Sequence, residues 1–338
     1  MSSKVFVILP VYNRLDFTKK CLRGVKNQNY ANVETIVIDD GSTDGSFEYI
    51  RRFHPQTHII QGDGNLWWSK ATYLGIEFAL AGATPNDYIL LLNNDCFIKS
   101  NFISQIVKTA KKHPRSIVGS FCITTSKPVK VVEAGVRIDW PTGIVYSIAE
   151  AISSDPAYYV GMDIIDQVDA LPGKGTLIPV SVFKEVGSIN YKEFPHYIAD
   201  YEFFNRAKRA GYNLLVDVKA RVRHIWEATG YKSAHNETNM GFKKAWYLLF
   251  GRKSMNNILD WINFLITSCP KKYLLRNLYS TFWRVTSRLS MVLPAFPRKV
   301  WTNSWKIMLS PKYYLKLLAY RLKLNIVQFP EYHLGKKK

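Results

Sequence analysis

Apolar positions in the first 120 residues follow two alternating periods. Short continuous runs at Val5–Leu9, Val33–Ile38 and Tyr88–Leu92 have the length of buried strands. Between them apolar residues recur at helical spacing. Phe17, Cys21, Leu22 and Val25 share one face of a helix predicted over Asp16–Gln28. Leu74, Phe78 and Ala81 point inward from one predicted over Ser69–Ala81. Phe102, Ile103, Ile106 and Val107 form the stripe of a third, capped by Ser100. This alternation predicts an α/β domain on a largely parallel sheet. Residues 115–195 read as short strands and Gly/Pro-rich loops, with a helix at Pro179–Glu185 stopped by Gly187. A further helix is predicted from Asp200, its N-cap, to Ala210, with Gly211 at the C′ position. Beyond residue 230 helical spacing recurs in Phe242–Phe250, Ile258–Ile266, Tyr273–Val292 and Tyr313–Leu324. The predicted division is an α/β domain over 1–230 and a basic, aromatic-rich helical extension over 231–338.

Charge sharpens that division. The formal net charge is +20, yet residues 1–230 carry 26 Lys+Arg against 23 Asp+Glu, whereas residues 231–338 carry 20 against 3. The positive field belongs to the extension, so it describes that segment's partner. Basic faces with aromatic anchors such as Trp246, Trp261, Trp283, Trp301 and Trp305 suit helices lying on an anionic membrane surface. The alternative is that they pack on the α/β domain with a solvated basic face. No nucleic-acid partner is expected, because no recognition motif is present and the first domain is nearly neutral. No run reaches the roughly 18 apolar residues a membrane span needs. The four cysteines are widely spaced with no CxxC pair, which argues against a disulfide framework or structural zinc. The expected location is cytoplasmic, with peripheral association at the inner face of the cell membrane.

The chemistry gathers where the early strands end. After Leu9 comes Pro10-Val11-Tyr12-Asn13-Arg14, after Ile38 comes Asp39-Asp40-Gly41-Ser42-Thr43-Asp44, and after Leu92 comes Asn93-Asn94-Asp95. Open parallel sheets bind ligands at the carboxyl ends of their strands. Carboxylates converging there repel one another unless a cation or N–H donors neutralise them. Local readings stand beside this one. Asp39–Asp44 suits a helix-capping turn with Ser42 or Asp44 as the cap, and Pro172-Gly173-Lys174-Gly175-Thr176 suits a plain turn.

Taken in order, ILPVYNR, VIDDGSTDGS, NND, GKGTLIP and PHYIADYEFFNRAKRAGY resemble the family 2 glycosyltransferases over roughly residues 4–230. The resemblance implies a GT-A nucleotide-diphospho-sugar transferase fold and a UDP- or dTDP-sugar donor. It also implies Mn²⁺ or Mg²⁺ as cofactor and a glycan or polyprenyl-diphosphate-linked acceptor. Pro10, Tyr12, Asn13 and Arg14 would line the base and ribose, and Asp40 would accept from the pyrimidine N3–H. Asn93-Asn94-Asp95 stands in the place of the metal-binding DxD. Its first acid is an amide, so Asp95 would hold the metal, while Asn93 and Asn94 face the donor. His224 would touch the metal or diphosphate, or else be a structural histidine; His196 is a weaker candidate.

Lys174 and Gly175 would form a wall of the donor site, with Asp63 and Lys70 near the nucleotide. Asp200 would be the base that deprotonates the acceptor, and an N-cap position would make it a weaker one. Glu202 would support the acceptor or pair with Arg206. The Trp67-Trp68 loop and GKGTLIP are similar to rhamnosyltransferase-type enzymes of bacterial surface polysaccharide synthesis. A nucleotidyltransferase would carry a Gly-rich basic loop after the first strand, where Pro10-Val11-Tyr12-Asn13 stands instead. A non-catalytic sugar- or nucleic-acid-binding protein is the other alternative.

Overall fold

The first strand outlasts its apolar run. β1 (Val5–Val11) continues through Pro10, which pairs with Ile38 of β2 (Val33–Asp39). Leu92 N–H donates to the Ile8 carbonyl, so residues of that parity face β4 (Tyr88–Leu91). The pairing of β1 with β4 ends at Ile8 and Leu91. The N–H that proline lacks therefore points past the end of β4, and little is lost.

The structure is a computed structural model describing residues 2–225, 242–252 and 254–290; Trp301, Trp305 and Tyr313–Leu324 lie outside the described residues. The remaining strands are β3 (His58–Gln61), β5 (Cys96–Ile98), β6 (Ser116–Thr124), β7 (Val131–Glu133), β8 (Val136–Asp139), β9 (Ile144–Ser147), β10 (Ile164–Ile165), β11 (Thr176–Pro179) and β12 (Asn213–His224). The main sheet runs β10-β12-β6-β11-β4-β1-β2-β3, with β5 on β12 and β7 on β6. Pairs β4–β1, β1–β2, β2–β3 and β6–β12 are parallel, while β11 is antiparallel to both neighbours. All nine residues of β6 are buried, as expected of a strand covered on both faces.

Helices α1 (Leu15–Lys26), α2 (Ser46–Phe53), α3 (Trp67–Gly82) and α4 (Phe102–Lys112) follow the early strands. In α1 and α4 the expected faces are buried: Cys21, Leu22 and Val25 in one, Phe102, Ile103, Ile106 and Val107 in the other. Helix α4 is preceded by Asn101 rather than capped by Ser100. In α3 the expected stripe is wrong. Phe78 and Ala81 are exposed and Leu74 is half-buried, whereas Ala71, Gly75, Ile76 and Ala79 are buried. A Cβ on Gly75 would lie 2.6 Å from side-chain atoms of Ile8 and Ile38, so small residues set the helix close to the sheet. Phe78 instead lies against His58 at 5.0 Å.

Helices α5 (Ile148–Ala151), α6 (Val180–Val186) and α7 (Ala199–Arg209) complete the first unit, residues 2–137 and 147–225. Gly187 and Gly211 both have positive φ, at the stops expected of them. The second unit takes in residues 138–146 with α8 (Phe242–Phe250), α9 (Ile258–Ser268) and α10 (Lys271–Ser290). Within it, the Asn257 side chain caps α9 at Leu259 and Asp260. Buried Asn277 donates to the Trp140 carbonyl at 2.9 Å, and Trp140 lies 5.8 Å from buried Phe264. No described helix is long and apolar enough to cross a membrane. All four cysteines are buried and free.

Candidate active site

The turn after β1 is tied to the turn after β2. Asn13 and Arg14 both adopt left-handed backbone, φ 56 and 64, an uncommon pair for residues with a side chain. Asn13 N–H donates to Ser42 Oγ at 2.8 Å, and Asn13 Oδ1 accepts from Thr43 N–H at 2.9 Å. Asp44 accepts from Ser46 N–H and Oγ and from Leu15 N–H, so it serves the first turns of both α1 and α2. The result sends the Arg14 guanidinium to Asp95 Oδ2, 3.5 Å away, and leaves Tyr12 54% exposed.

Asp40 is buried, and both its oxygens are already engaged. They accept from the backbone N–H groups of Gly64, Leu66 and Trp67 at 2.9–3.1 Å. The carboxylate expected to read a pyrimidine thus holds the 62–67 loop. Asp63 is exposed and accepts from Asn65 N–H, and Lys70 is exposed in the first turn of α3.

That loop presents Trp68, the centre of a chain of contacts absent from the sequence reading. Its indole N–H donates to Asn93 Oδ1 at 2.9 Å. Its ring fills the space that a Cβ on Gly173 would take. Gly173 N–H in turn donates to Asp200 Oδ2 at 3.0 Å. Asp40, Asn93 and Asp200, remote in the chain, are thereby linked through one loop.

One expectation needs correction here, and several neighbouring residues are held by protein contacts. Asp200 is not the N-cap: the left-handed residue before α7 is Ile198, φ 67, and Asp200 sits within the first turn. Burial pushes its carboxyl above the ordinary value, an effect that the N–H groups of Gly173 and Tyr201 and the charge of Lys174 only partly offset. It is therefore a stronger base than a capping acid. Gly175 packs against protein: its N–H goes to the Leu91 carbonyl and a Cβ would meet Ser120 and Val222. Asn94 is buried and donates to Thr18 Oγ1 and the Asn13 carbonyl. Glu202, 4% exposed, is gripped by Arg206 at both oxygens, and Arg206 also donates to the carbonyls of Val186 and Ser188. Glu202 so fastens α7 to the end of α6, through the Arg206 pairing that was one of its two expected roles.

The densest charge lies around Asp95. Strand β5 pairs antiparallel with β12, setting Cys96 opposite His224. The carboxylate, thiol and imidazole lie within 4.8 Å of one another, all three buried. His224 Nε2 is 3.5 Å from Asp95 Oδ1. Burial alone pushes the Asp95 carboxyl up, but His224, Lys174 and Arg14 outweigh it and hold the group below its ordinary value. Lys174 loses stability of its charge to burial yet is held above its ordinary value, first by Glu133. Glu133, on β7, had no sequence signal: its Oε2 is buried without a hydrogen-bond partner. Burial raises its carboxyl to about 7, against the opposing pull of Lys174 and with added repulsion from Asp200 and Glu150. His196 packs edge-on against Trp67 at 5.6 Å.

Residues 6–143 match the profile described as Glycosyl transferase family 2. Over these residues the chain is similar to the family 2 glycosyltransferases. It is 30% identical over 124 residues to glycosyltransferase GlyA of Streptococcus pneumoniae serotype 4, covering 36% of this chain and 17% of GlyA. It is 27% identical over 121 residues to GlyG of the same organism, covering 35% of this chain and 38% of GlyG. The chain thus spans well under half the length of these two relatives. Over 253 residues it is 25% identical to an uncharacterized glycosyltransferase of Haemophilus influenzae, covering 71% of this chain and 72% of that one. The fold is GT-A, similar to a crystal structure of GalNAc-T7 with UDP, GalNAc and Mn²⁺: TM-score 0.54, 14% identity, 67% of this chain and 44% of that one.

The match takes in β1 to β4 and Asp95, but stops before Lys174, Asp200 and His224. Those three arrive through the β11–β4, α7 and β12 connections, which close the same end of the sheet.

Proposed function

We propose that the chain transfers a sugar, with inversion, from a UDP- or dTDP-sugar to a hydroxyl of a glycan or polyprenyl-diphosphate-linked acceptor. The observation that carries this reading is that one carboxylate, Asp95, ringed by His224, Arg14 and Lys174, and a second, Asp200, that burial keeps basic, both feel the charge of Lys174. Arg14 and Lys174 supply positive charge where a diphosphate must sit. Exposed Tyr12 offers a ring face to the base, and Asp40 contributes by fixing the loop beside it.

A divalent cation fits the residues present: Asp95 supplies a hard anionic oxygen and His224 a nitrogen at 3.5 Å from it. Bound there, such an ion would supply Lewis-acid stabilisation of the leaving diphosphate. Asp200 accepts the acceptor's hydroxyl proton as that oxygen bonds to the anomeric carbon, while the bond from that carbon to the diphosphate breaks. Gly173 N–H keeps one Asp200 oxygen oriented and leaves lone pairs for the proton. Arg14 and Lys174 neutralise the charge growing on the departing nucleoside diphosphate.

A rhamnosyl-type donor and a role in surface polysaccharide synthesis are the finer form of this proposal, supported by the Trp67-Trp68 loop and GKGTLIP. The basic second unit would bring the enzyme to an anionic membrane surface, where a lipid-linked acceptor resides. Trp246 at 53%, Leu275 at 82% and Phe282 at 59% exposure support that reading, together with the excess of cations. The test of the donor is a thermal-shift screen of nucleotide sugars with and without Mn²⁺. Stabilisation by a uridine or thymidine diphospho-sugar, enhanced by the ion, is expected; stabilisation by purine nucleotide sugars alone would overturn the donor class.

A further inference from the structure

We propose that Cys96 is a third protein ligand of the cation at Asp95 and His224, which makes the site selective for thiophilic divalent ions, Zn²⁺ or Co²⁺, over Mg²⁺. The inference rests on the reading of Asp95 and His224 as cation ligands and adds a soft donor to it.

Three observations support it. First, the β5–β12 ladder sets Cys96 directly opposite His224, and the side chain of its chain neighbour Asp95 lies with them. Second, the spacing suits one small ion. Tetrahedral zinc binds oxygen or nitrogen at about 2.1 Å and sulfur at about 2.3 Å, giving ligand–ligand edges of about 3.4 and 3.6 Å. Here His224 Nε2 lies 3.5 Å from Asp95 Oδ1, and Cys96 Sγ lies 3.7 Å from the same oxygen. The third edge is within 4.8 Å. Third, among the described residues this is the one group of three such side chains placed to hold a metal. Cys21 and Cys122 are equally buried and belong to the same core, but neither joins such a group.

The charges are consistent with this role. A thiolate and a carboxylate together cancel a divalent ion, leaving Arg14 and Lys174 as net positive charge for a diphosphate. Sulfur donors favour zinc and cobalt, whereas Mg²⁺ favours oxygen, so the preference follows from the donor set.

The test is titration of reduced, metal-free full-length protein with Co²⁺, reading the near-ultraviolet thiolate-to-cobalt charge-transfer band, with Co²⁺ uptake followed separately by dye competition. Wild type should show the band with saturable uptake. Cys96→Ser should lack it and bind Zn²⁺ at least about tenfold more weakly, while Cys21→Ser and Cys122→Ser keep it. The wild-type band is decisive even if Cys96→Ser folds poorly. Uptake of Co²⁺ by wild type without a charge-transfer band, or a band that survives in Cys96→Ser, would overturn the role of Cys96 alone. Absence of uptake of Co²⁺, Zn²⁺ and Mn²⁺, with or without UDP, would overturn the cation reading of Asp95 and His224 as well.

Discussion

Gly173 donates its backbone N–H to Asp200 Oδ2 at 3.0 Å, and its own Cα is pressed against the ring of Trp68. A methyl group at Gly173 would have to displace that ring, which also loosens the indole from Asn93. Gly173→Ala should lower turnover by about 10²-fold, because a displacement of about 1 Å in a catalytic group has that order of effect. Cation affinity should stay near wild type, since Asp95 and His224 are untouched. Steady-state kinetics beside a metal titration separates the two. Equal losses in both would show that the loop does not act through Asp200.

Asp200 itself gives a pH signature. Its carboxyl is raised by burial and must be ionised to accept a proton, so turnover falls as pH drops through that raised value. The acid limb of the rate profile should lie above the ordinary carboxylate range. Asp200→Asn should cost about 10²–10⁴-fold and abolish the limb. A limb that persists unchanged in the residual activity would assign it to another group.

Asp40 carries a structural prediction. Asparagine at this position keeps one acceptor oxygen where three backbone N–H groups now share two. At least one buried donor loses its partner, at a cost of roughly 1–3 kcal/mol. Urea unfolding of Asp40→Asn should show that loss. An unchanged midpoint, with weakened uridine nucleotide binding, would restore Asp40 to direct contact with the base.

Glu133 predicts a dependence of stability on pH. Its native carboxyl sits at about 7 against an ordinary 4.5. Between those values the folded protein holds a proton that the unfolded chain has released, so stability falls as pH rises through the window. Glu133→Gln removes the group and should flatten that fall, gaining on wild type as pH rises from 4.5 through about 7. Lys174, Asp200 and Glu150 are the charges acting on it. Parallel slopes for the two proteins across thermal melts would contradict the assignment.

Much of the first unit was legible because local pattern and strand order agree there. Continuous apolar runs located β1, β2 and β4, and the polar clusters at their ends contain Arg14, Asp40, Asn93 and Asp95. The α3 face was misread because helix-to-sheet packing there favours small side chains, which a count of large apolar residues cannot register. The proposed ligand set was visible only in part. The resemblance pointed to Asp95 and His224, but Cys96 is brought opposite His224 by pairing between β5 and β12, a contact between distant segments. Glu133 and the Trp68–Gly173 contact were invisible for the same reason. The hydrogen bonds that Asn94 and Asp40 make within the protein were not legible, since a residue type in a strand-end cluster does not reveal which hydrogen bonds the fold uses.

The most direct measurement of the central claim is release of nucleoside diphosphate from UDP- and dTDP-sugars by purified protein with Mn²⁺, comparing wild type with Asp95→Ala. Slow release from at least one of these donors is expected, abolished by chelation and reduced at least about 10²-fold in the variant. Release that is indifferent to chelation and equal in folded Asp95→Ala would contradict it.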